Sequence, residues 1–205
     1  MPGLAFDETM TGGFALGETN PDRGQERGDD QDTTLALHAS VEIDDVGRFA
    51  NDPDHAGDLT GSIEFAPLGD ELQARDGVFK LFSPGDAPDR KQMVYELALE
   101  HAGEPYYLAG KKKVHDDPGF DLWSDTTTLY TRLYEGTDTT GPVAGAGILS
   151  LEVDDLVDLV STMRVPEAVS IQKKAEALST FGSLFLGELW DTYAEHASVN
   201  TTDST

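Results

Sequence analysis

The sequence contains no cysteine among its 205 residues. Disulfide bridges, thiolate metal sites and cysteine nucleophiles are therefore excluded from the fold and from any function of this chain. A chain of this length typically buries about 70% of its extended surface, which is enough for a hydrophobic core. We therefore expect one domain that is stabilised by its core and not by cross-links.

Long hydrophobic runs are also missing. No stretch approaches the ~18 consecutive apolar residues that a membrane helix needs. Residues 1–17 lack the basic start and the uninterrupted apolar stretch of a signal peptide. The sequence therefore predicts no membrane insertion and a cytoplasmic location.

Basic residues are scarce, because 14 lysine and arginine residues stand against 39 aspartate and glutamate residues, for a net charge of −25. The acids are spread along the chain and alternate with apolar residues, which favours the acidic surface of a folded domain over an acidic tail. At molar salt the Debye length falls to about 3 Å, which screens the repulsion between these charges. We therefore predict a halophilic protein, and the lack of a basic face argues against nucleic acid as a partner.

Recognisable catalytic motifs are absent from the sequence. It has no Gly-x-Ser-x-Gly elbow, and its five histidines show no paired ligand spacing. Gly145 and Gly147 lie inside a strand pattern with no helix directly after it, so they do not predict a dinucleotide loop. These observations predict no cofactor and favour a protein that is not an enzyme.

A period of two dominates the first three quarters of the chain. The clearest example is residues 35–43, where apolar residues alternate with polar ones. Similar segments follow in hairpin order with no repeated strand–helix–strand pattern, which argues against a parallel sheet. We predict a mainly β (α+β) domain with about eight to ten strands, arranged as an antiparallel β-barrel or rolled sheet and lipocalin-like in outline.

Helical signals are few before residue 154. Asp44 and Asp45 predict the start of a short helix through Phe49, whereas residues 18–32 are interpreted as a polar loop. After residue 153 the apolar spacing becomes helical and predicts two C-terminal helices. The predicted organisation is a barrel-like core at 1–153, helices packed on the same domain at 154–196, and a disordered tail at 197–205.

Three of the seven lysines stand together at residues 111–113, on a predicted strand. Alternation places Lys111 and Lys113 on the same face as Tyr107. These side chains either pair with acidic neighbouring strands or form a rim that recognises an anion. Together with Tyr95, they are the candidate ligand-binding residues. If the protein is an enzyme, the candidate acid–base residues are Glu8, Tyr95 and Lys111.

Two further groups of residues are candidates for binding. Four aspartates stand within ten residues and either hold a hard cation or belong to a structural turn; they are Asp116, Asp117, Asp121 and Asp125. On the last predicted helix, Phe181, Phe185 and Trp190 share one face. An exposed aromatic stripe of this kind would predict a protein interface.

Four segments give the chain a family resemblance, and they are residues 6–21, 77–82, 116–129 and 185–193. These segments resemble an accessory module found beside cholesterol-oxidase-like flavoproteins of the glucose-methanol-choline type. Their motifs include Phe6-x-Glu8-x-Met10-x-Gly12, Gly77-Val78-Phe79 and Phe185-Leu186-Gly187-Glu188-Leu189-Trp190. The resemblance implies a setting of sterol or lipid-like redox chemistry. It carries over no oxidase activity, because this chain lacks the flavin-binding glycine loop.

Three functional hypotheses follow from these observations. The first is a non-catalytic barrel-like module that binds an apolar small molecule or docks onto a flavin-dependent oxidoreductase. The second is a cofactor-independent enzyme with a pocket in the barrel, such as an isomerase or cyclase. The third is a structural or assembly protein that uses the aromatic helix face.

Overall fold

The computed structural model describes residues 1–85, 91–114, 127–151, 162–165 and 170–197; for residues 113–114 and 186–197 it describes the backbone alone. Eight antiparallel strands close into a barrel in which each strand pairs with its neighbours in the sequence and β1 pairs with β8. The strands are β1 Leu4–Leu16, β2 Thr34–Ile43, β3 Ala56–Phe65, β4 Gly69–Pro84, β5 Lys91–His101, β6 Glu104–Val114, β7 Thr128–Glu135 and β8 Val143–Ser150.

The prediction of a mainly β antiparallel barrel is therefore confirmed. Alternation explains the closure, because one face of every strand is apolar and a closed barrel buries that face without leaving a sheet edge. Strand β2 shows the pattern most clearly, since Leu35, Leu37 and Val41 are each at most 1% exposed while the alternate positions, such as His38 and Ser40, are partly exposed. The inward side chains of all eight strands form one continuous core.

Tight hairpins connect several of the strands. Between β5 and β6, Ala102 and Gly103 both adopt positive φ angles, of 54° and 84°. A two-residue turn of this kind matches the right-handed twist of the flanking strands. Residues 101–104 therefore form a tight hairpin that joins β5 to β6.

The seam between β1 and β8 is only partly paired. Register pairs join β1 to β8 from Thr11 to Leu16 and not in the first half of β1. There, Ala5 exchanges two backbone hydrogen bonds with Arg164, and the Arg164 guanidinium donates to both carboxylate oxygens of Asp7. A short segment that follows the barrel in sequence therefore covers an edge that β8 leaves free.

The loop predicted at residues 18–32 is wrong, because helix α1 spans Pro21–Asp30. Asn20 caps this helix and Pro21 occupies its first turn, as helix starts prefer. A β-carbon at Gly24 would clash with the carbonyl oxygen of Ala146, so glycine lets α1 lie directly against β8. The helix has no apolar stripe, and for this reason its hydrophobic pattern did not reveal it.

Two helices lie at the end of the barrel where β1 begins and β2 ends, which we call the capped mouth. Helix α2, Val46–Asn51, starts at the N-cap Asp45 as predicted. Helix α3, Ile171–Ala197, contacts α2. On α3, the ring of Phe181 lies 5.9 Å from that of Phe6 and 6.2 Å from that of Phe49. Aromatic packing therefore attaches α3 to the mouth of the barrel.

Most of the helix predicted from residue 154, and residues 198–205 of the tail predicted at 197–205, lie outside the described residues; Ala197 is the last residue of α3. Among the described helices, none is both long enough and apolar enough to span a membrane.

Candidate functional site

Three ionisable side chains of the strands face the interior of the barrel, and we call them the interior cluster: Glu8 on β1, Tyr95 on β5 and Lys112 on β6. Each belongs to the inward-facing row of its strand, and each residue is at most 7% exposed. In a ring of eight strands, β1 and β5 are four strands apart in either direction. The cluster therefore joins opposite walls of the barrel.

The Lys112 ammonium lies between the other two members of the cluster. Its Nζ is 3.7 Å from Oε2 of Glu8 and 4.8 Å from the centre of the Tyr95 ring. The first distance permits charge attraction but is too long for a good hydrogen bond. The second places the cation over the face of an aromatic ring, which is also attractive. The Lys112 charge is thus balanced by Glu8 without being tightly bonded to it.

One carboxylate oxygen of the cluster is left without a partner among the described residues. Oε1 of Glu8 is buried and accepts no hydrogen bond from them. A buried acceptor without a donor costs about 1–3 kcal/mol, and more when the group is charged. A loosely paired ion pair that also leaves an oxygen unbonded is a poor way to stabilise a core. A role outside folding is therefore the better explanation for the cluster.

The surroundings shift the ionisation of two members. Burial raises the pKa of the Tyr95 hydroxyl well above its usual value, and the negative charge of the Glu8 carboxylate acts in the same direction. Burial lowers the pKa of Lys112, although Glu8 opposes that shift. Perturbed acids and bases of this kind are concentrated at functional sites.

Aromatic rings separate the cluster from the capped mouth. Phe79 makes edge-to-face contacts with both Phe6 and Tyr95, at ring-centre distances of 5.9 Å and 5.2 Å. Phe6 in turn contacts Phe181 of α3. One turn further along α3, Phe185 packs 5.7 Å from Phe82 of β4. Aromatic side chains therefore fill the space between the cluster and the mouth, and α3 covers the mouth.

The structure brings together only part of the ligand-binding set predicted from the sequence. Lys111 is exposed on the outer wall. Tyr107 is only partly buried and donates a 3.0 Å hydrogen bond to Glu96, and burial together with that carboxylate raises its pKa to about 12. Neither lies with Tyr95. The side chain of Lys113 lies outside the described residues.

Of the candidate acid–base residues, Glu8 and Tyr95 meet, whereas Lys111 points outward and Lys112 takes the place inside. Sequence reasoning missed Lys112, although strict alternation along 105–114 places it with Leu108 and Gly110 on the inward face. The feature of the sequence that could have revealed this residue is a lysine at a position where the alternation predicts an inward-facing side chain.

The structure describes only part of the two other predicted sites, the aspartate group and the aromatic helix face. Asp116, Asp117, Asp121 and Asp125 lie outside the described residues, and elsewhere in the described chain no group of acidic or histidine side chains could hold a metal ion. Phe181 is only 4% exposed, so its side chain belongs to the core of this chain and offers no surface to a partner. Phe185 is partly buried against the same core. The side chain of Trp190 is not described.

Two cavities formed by described residues lie on the outer wall. The larger, about 670 Å³, is lined by polar side chains of β1–β4 that include Thr9, His38 and Ser40. The smaller, about 290 Å³, lies beside α2 and is lined largely by acidic residues. Glu8 is among the residues that line the larger cavity, whereas Lys112 and Tyr95 line neither cavity. Packed side chains therefore separate Lys112 and Tyr95 from both cavities.

No family model, curated protein or solved structure matches this chain. The resemblance to an accessory module of flavoproteins therefore stays a prediction.

Proposed function

We propose that this chain is a binding module whose barrel takes up a small apolar molecule through the capped mouth and recognises the polar group of that molecule with Glu8, Tyr95 and Lys112. The observation that carries the proposal is Oε1 of Glu8, which is buried in a largely apolar interior and has no partner among the described residues. Ligand sites are commonly apolar and contain a few polar groups that fix the orientation of the ligand.

The closed arrangement described above requires a movement before a ligand can enter. Phe181 and Phe185 of α3 fill the mouth, and their neighbours Phe6, Phe49 and Phe82 form an apolar wall beneath them. If α3 moves away, this wall is exposed, and an apolar ligand can replace the two phenylalanine rings. A ligand that binds only the open form shifts the population toward that form.

The cellular setting is part of the same proposal. The resemblance supports a flavin-dependent oxidoreductase of sterol or lipid chemistry as the protein that supplies or receives the ligand. The net charge of −25 supports a halophilic protein in a salt-rich cytoplasm. Under this proposal the chain carries or presents the ligand and needs no cofactor of its own.

Extraction of the purified protein tests the proposal. The protein is isolated from its own source at ~3 M KCl, which keeps its charges screened, and is then denatured and extracted with organic solvent for mass spectrometry. We expect an apolar molecule of a few hundred daltons. A folded wild-type protein that yields no such molecule contradicts the proposal.

Matched variants locate the ligand. The double variant Glu8→Leu/Lys112→Met removes the polar cluster without leaving a lone buried charge. It should fold and yield less ligand than the wild type. Lys111→Met makes the same change on the outer wall, one residue away, and should yield the wild-type amount. Equal yields from all three proteins would place the ligand elsewhere.

A second function is favoured by one specific observation. The lowered pKa of Lys112, whose ammonium lies 3.7 Å from the Glu8 carboxylate, favours proton transfer to or from a bound molecule, whereas the raised pKa of Tyr95 keeps its hydroxyl protonated. A cofactor-independent isomerase or cyclase would use the same site. Incubating the extracted molecule with the protein distinguishes the two functions, because conversion to an isomer supports the enzyme and unchanged recovery supports the binding module.

A further inference from the structure

We propose that the polar group recognised inside the barrel is a hydroxyl and not a carboxylate, so that the ligand is an apolar alcohol. This inference rests on the proposed function and narrows the class of molecule that the site accepts. It is drawn from the hydrogen-bonding capacity that Glu8 and Lys112 leave unused.

The first step concerns Glu8. An ionised carboxylate only accepts hydrogen bonds, and its two oxygens together offer about four acceptor positions. Oε2 faces the Lys112 ammonium, whereas Oε1 accepts nothing from the described residues. With both side chains only 3% exposed, bulk water has little access to the pair. The ligand that best fits this oxygen must bring a hydrogen-bond donor.

The second step concerns Lys112. An ammonium group only donates, and at 3.7 Å from Oε2 it makes no close hydrogen bond with Glu8. A hydroxyl can donate to Oε1 of Glu8 and accept from Nζ of Lys112 at the same time. A carboxylate can accept from Lys112 but offers Glu8 no donor.

The third step is the balance of charge. Glu8 and Lys112 together carry no net charge, and an alcohol leaves that balance unchanged. A carboxylate would bring a second negative charge close to Glu8 inside a poorly solvated interior, where like charges repel strongly. Burial of an ion without its own counter-charge is also unfavourable. Both effects select against acids with the same apolar body.

The apolar body of the ligand has a matching environment. The rings of Phe6 and Phe79 lie between the cluster and the mouth, and Phe181 packs against Phe6. Flat rings stack well against such side chains, whose contacts are offset or edge-to-face. An alcohol with a ring in its apolar body is therefore suited to contact these side chains.

Two fluorescent probes with one apolar body provide the test: 1-pyrenebutanol and 1-pyrenebutyric acid at neutral pH. Each is titrated into the whole protein at ~3 M KCl, where charge repulsion at the surface is screened. We expect the alcohol to bind at least about tenfold more tightly than the acid, because a site built for a hydroxyl rejects groups that leave its polar atoms unpaired.

Variants show whether the selectivity comes from Glu8. In Glu8→Gln the negative charge is lost and Lys112 is unbalanced, so the preference should fall and turn toward the acid. Lys111→Met should keep the wild-type ratio. Thermal melts check that each variant is folded.

Every outcome bears on the inference. Equal affinities, or tighter binding of the acid by the wild type, overturn the choice of a hydroxyl while leaving the binding module standing. If neither probe nor any extracted molecule binds the wild type, both the inference and the proposed function fail. An alcohol preference that survives in Glu8→Gln shows that another group selects the ligand.

Discussion

A carboxylate and an ammonium group inside an eight-stranded barrel lose free energy of hydration when they are buried. Glu8 and Lys112 are separated by 3.7 Å, and each side chain is only 3% exposed. Charge attraction in such a pair often fails to offset the loss of hydration. The Tyr95 ring adds a cation–π contact that also holds the ammonium in place.

The energetics of this pair can be measured with single and double variants. Glu8→Leu or Lys112→Met alone leaves an uncompensated buried charge and should lower the free energy of unfolding by about 3–5 kcal/mol. The double variant should lie near the wild type or be more stable by up to about 4 kcal/mol. Urea unfolding at constant high salt measures all four proteins.

The outer-wall variant Lys111→Met is the matched control, and it should change the free energy of unfolding by no more than about 0.5 kcal/mol. If the double variant loses as much stability as both single variants added together, the interior cluster is a structural device. That result would remove the energetic argument for a binding role.

Residue by residue, the candidate site was only partly predictable. Glu8 and Tyr95 were identified from the sequence, but that pattern could not show that they face each other from opposite walls. Lys112 was passed over in favour of its exposed neighbour Lys111, because a lysine in an apolar row is unexpected. Only the closed barrel shows that Glu8 supplies its counter-charge.

At the scale of the elements, the two longest described helices differ in whether the hydrophobic pattern of the sequence predicts them. Helix α3 was predicted from its apolar face. Helix α1 was missed because it packs through Gly24 and Gly28, whose missing side chains allow close contact with β8 and β1. Such packing leaves no hydrophobic period in the sequence.

The attachment of α3 gives a prediction for this element. Phe181→Ala removes a ring that contacts Phe6, Phe49 and Phe185, and should lower the free energy of unfolding by about 3–5 kcal/mol. Ile171→Ala on the same helix is the control, because Ile171 is 89% exposed and its loss should have little effect. Chemical denaturation monitored by circular dichroism provides the measurement.

A small effect of Phe181→Ala, similar to that of Ile171→Ala, would mean that α3 contributes little to the closed state. The mouth would then be open much of the time, and ligand entry would need no displacement of the helix. A large effect supports a mouth that a ligand must open by competing with Phe181.

At the scale of the whole molecule, the net charge of −25 sets the conditions for stability. Like charges spread over a closed barrel repel one another at low ionic strength. We expect the melting temperature to rise clearly between ~0.1 M and ~3 M KCl as the Debye length shortens. Differential scanning fluorimetry across this range measures the effect.

A sucrose series separates charge screening from exclusion of solute from the protein surface, which also stabilises folded proteins. Sucrose should stabilise the protein much less than salt does. A melting temperature that stays constant across the KCl range contradicts halophilic adaptation.

The sequence by itself determined the strand segments, their antiparallel order and the acidic surface, because alternation and composition are local properties of the chain. Three features could be derived only from the tertiary structure. They are the closure of eight strands into a barrel, the packing of α1 through glycine, and the contact between Glu8 and Lys112. Each depends on which distant segments face one another, and a period of two carries no information about the opposite wall. The arrangement of charged groups in the candidate site could therefore be derived only from the closed barrel.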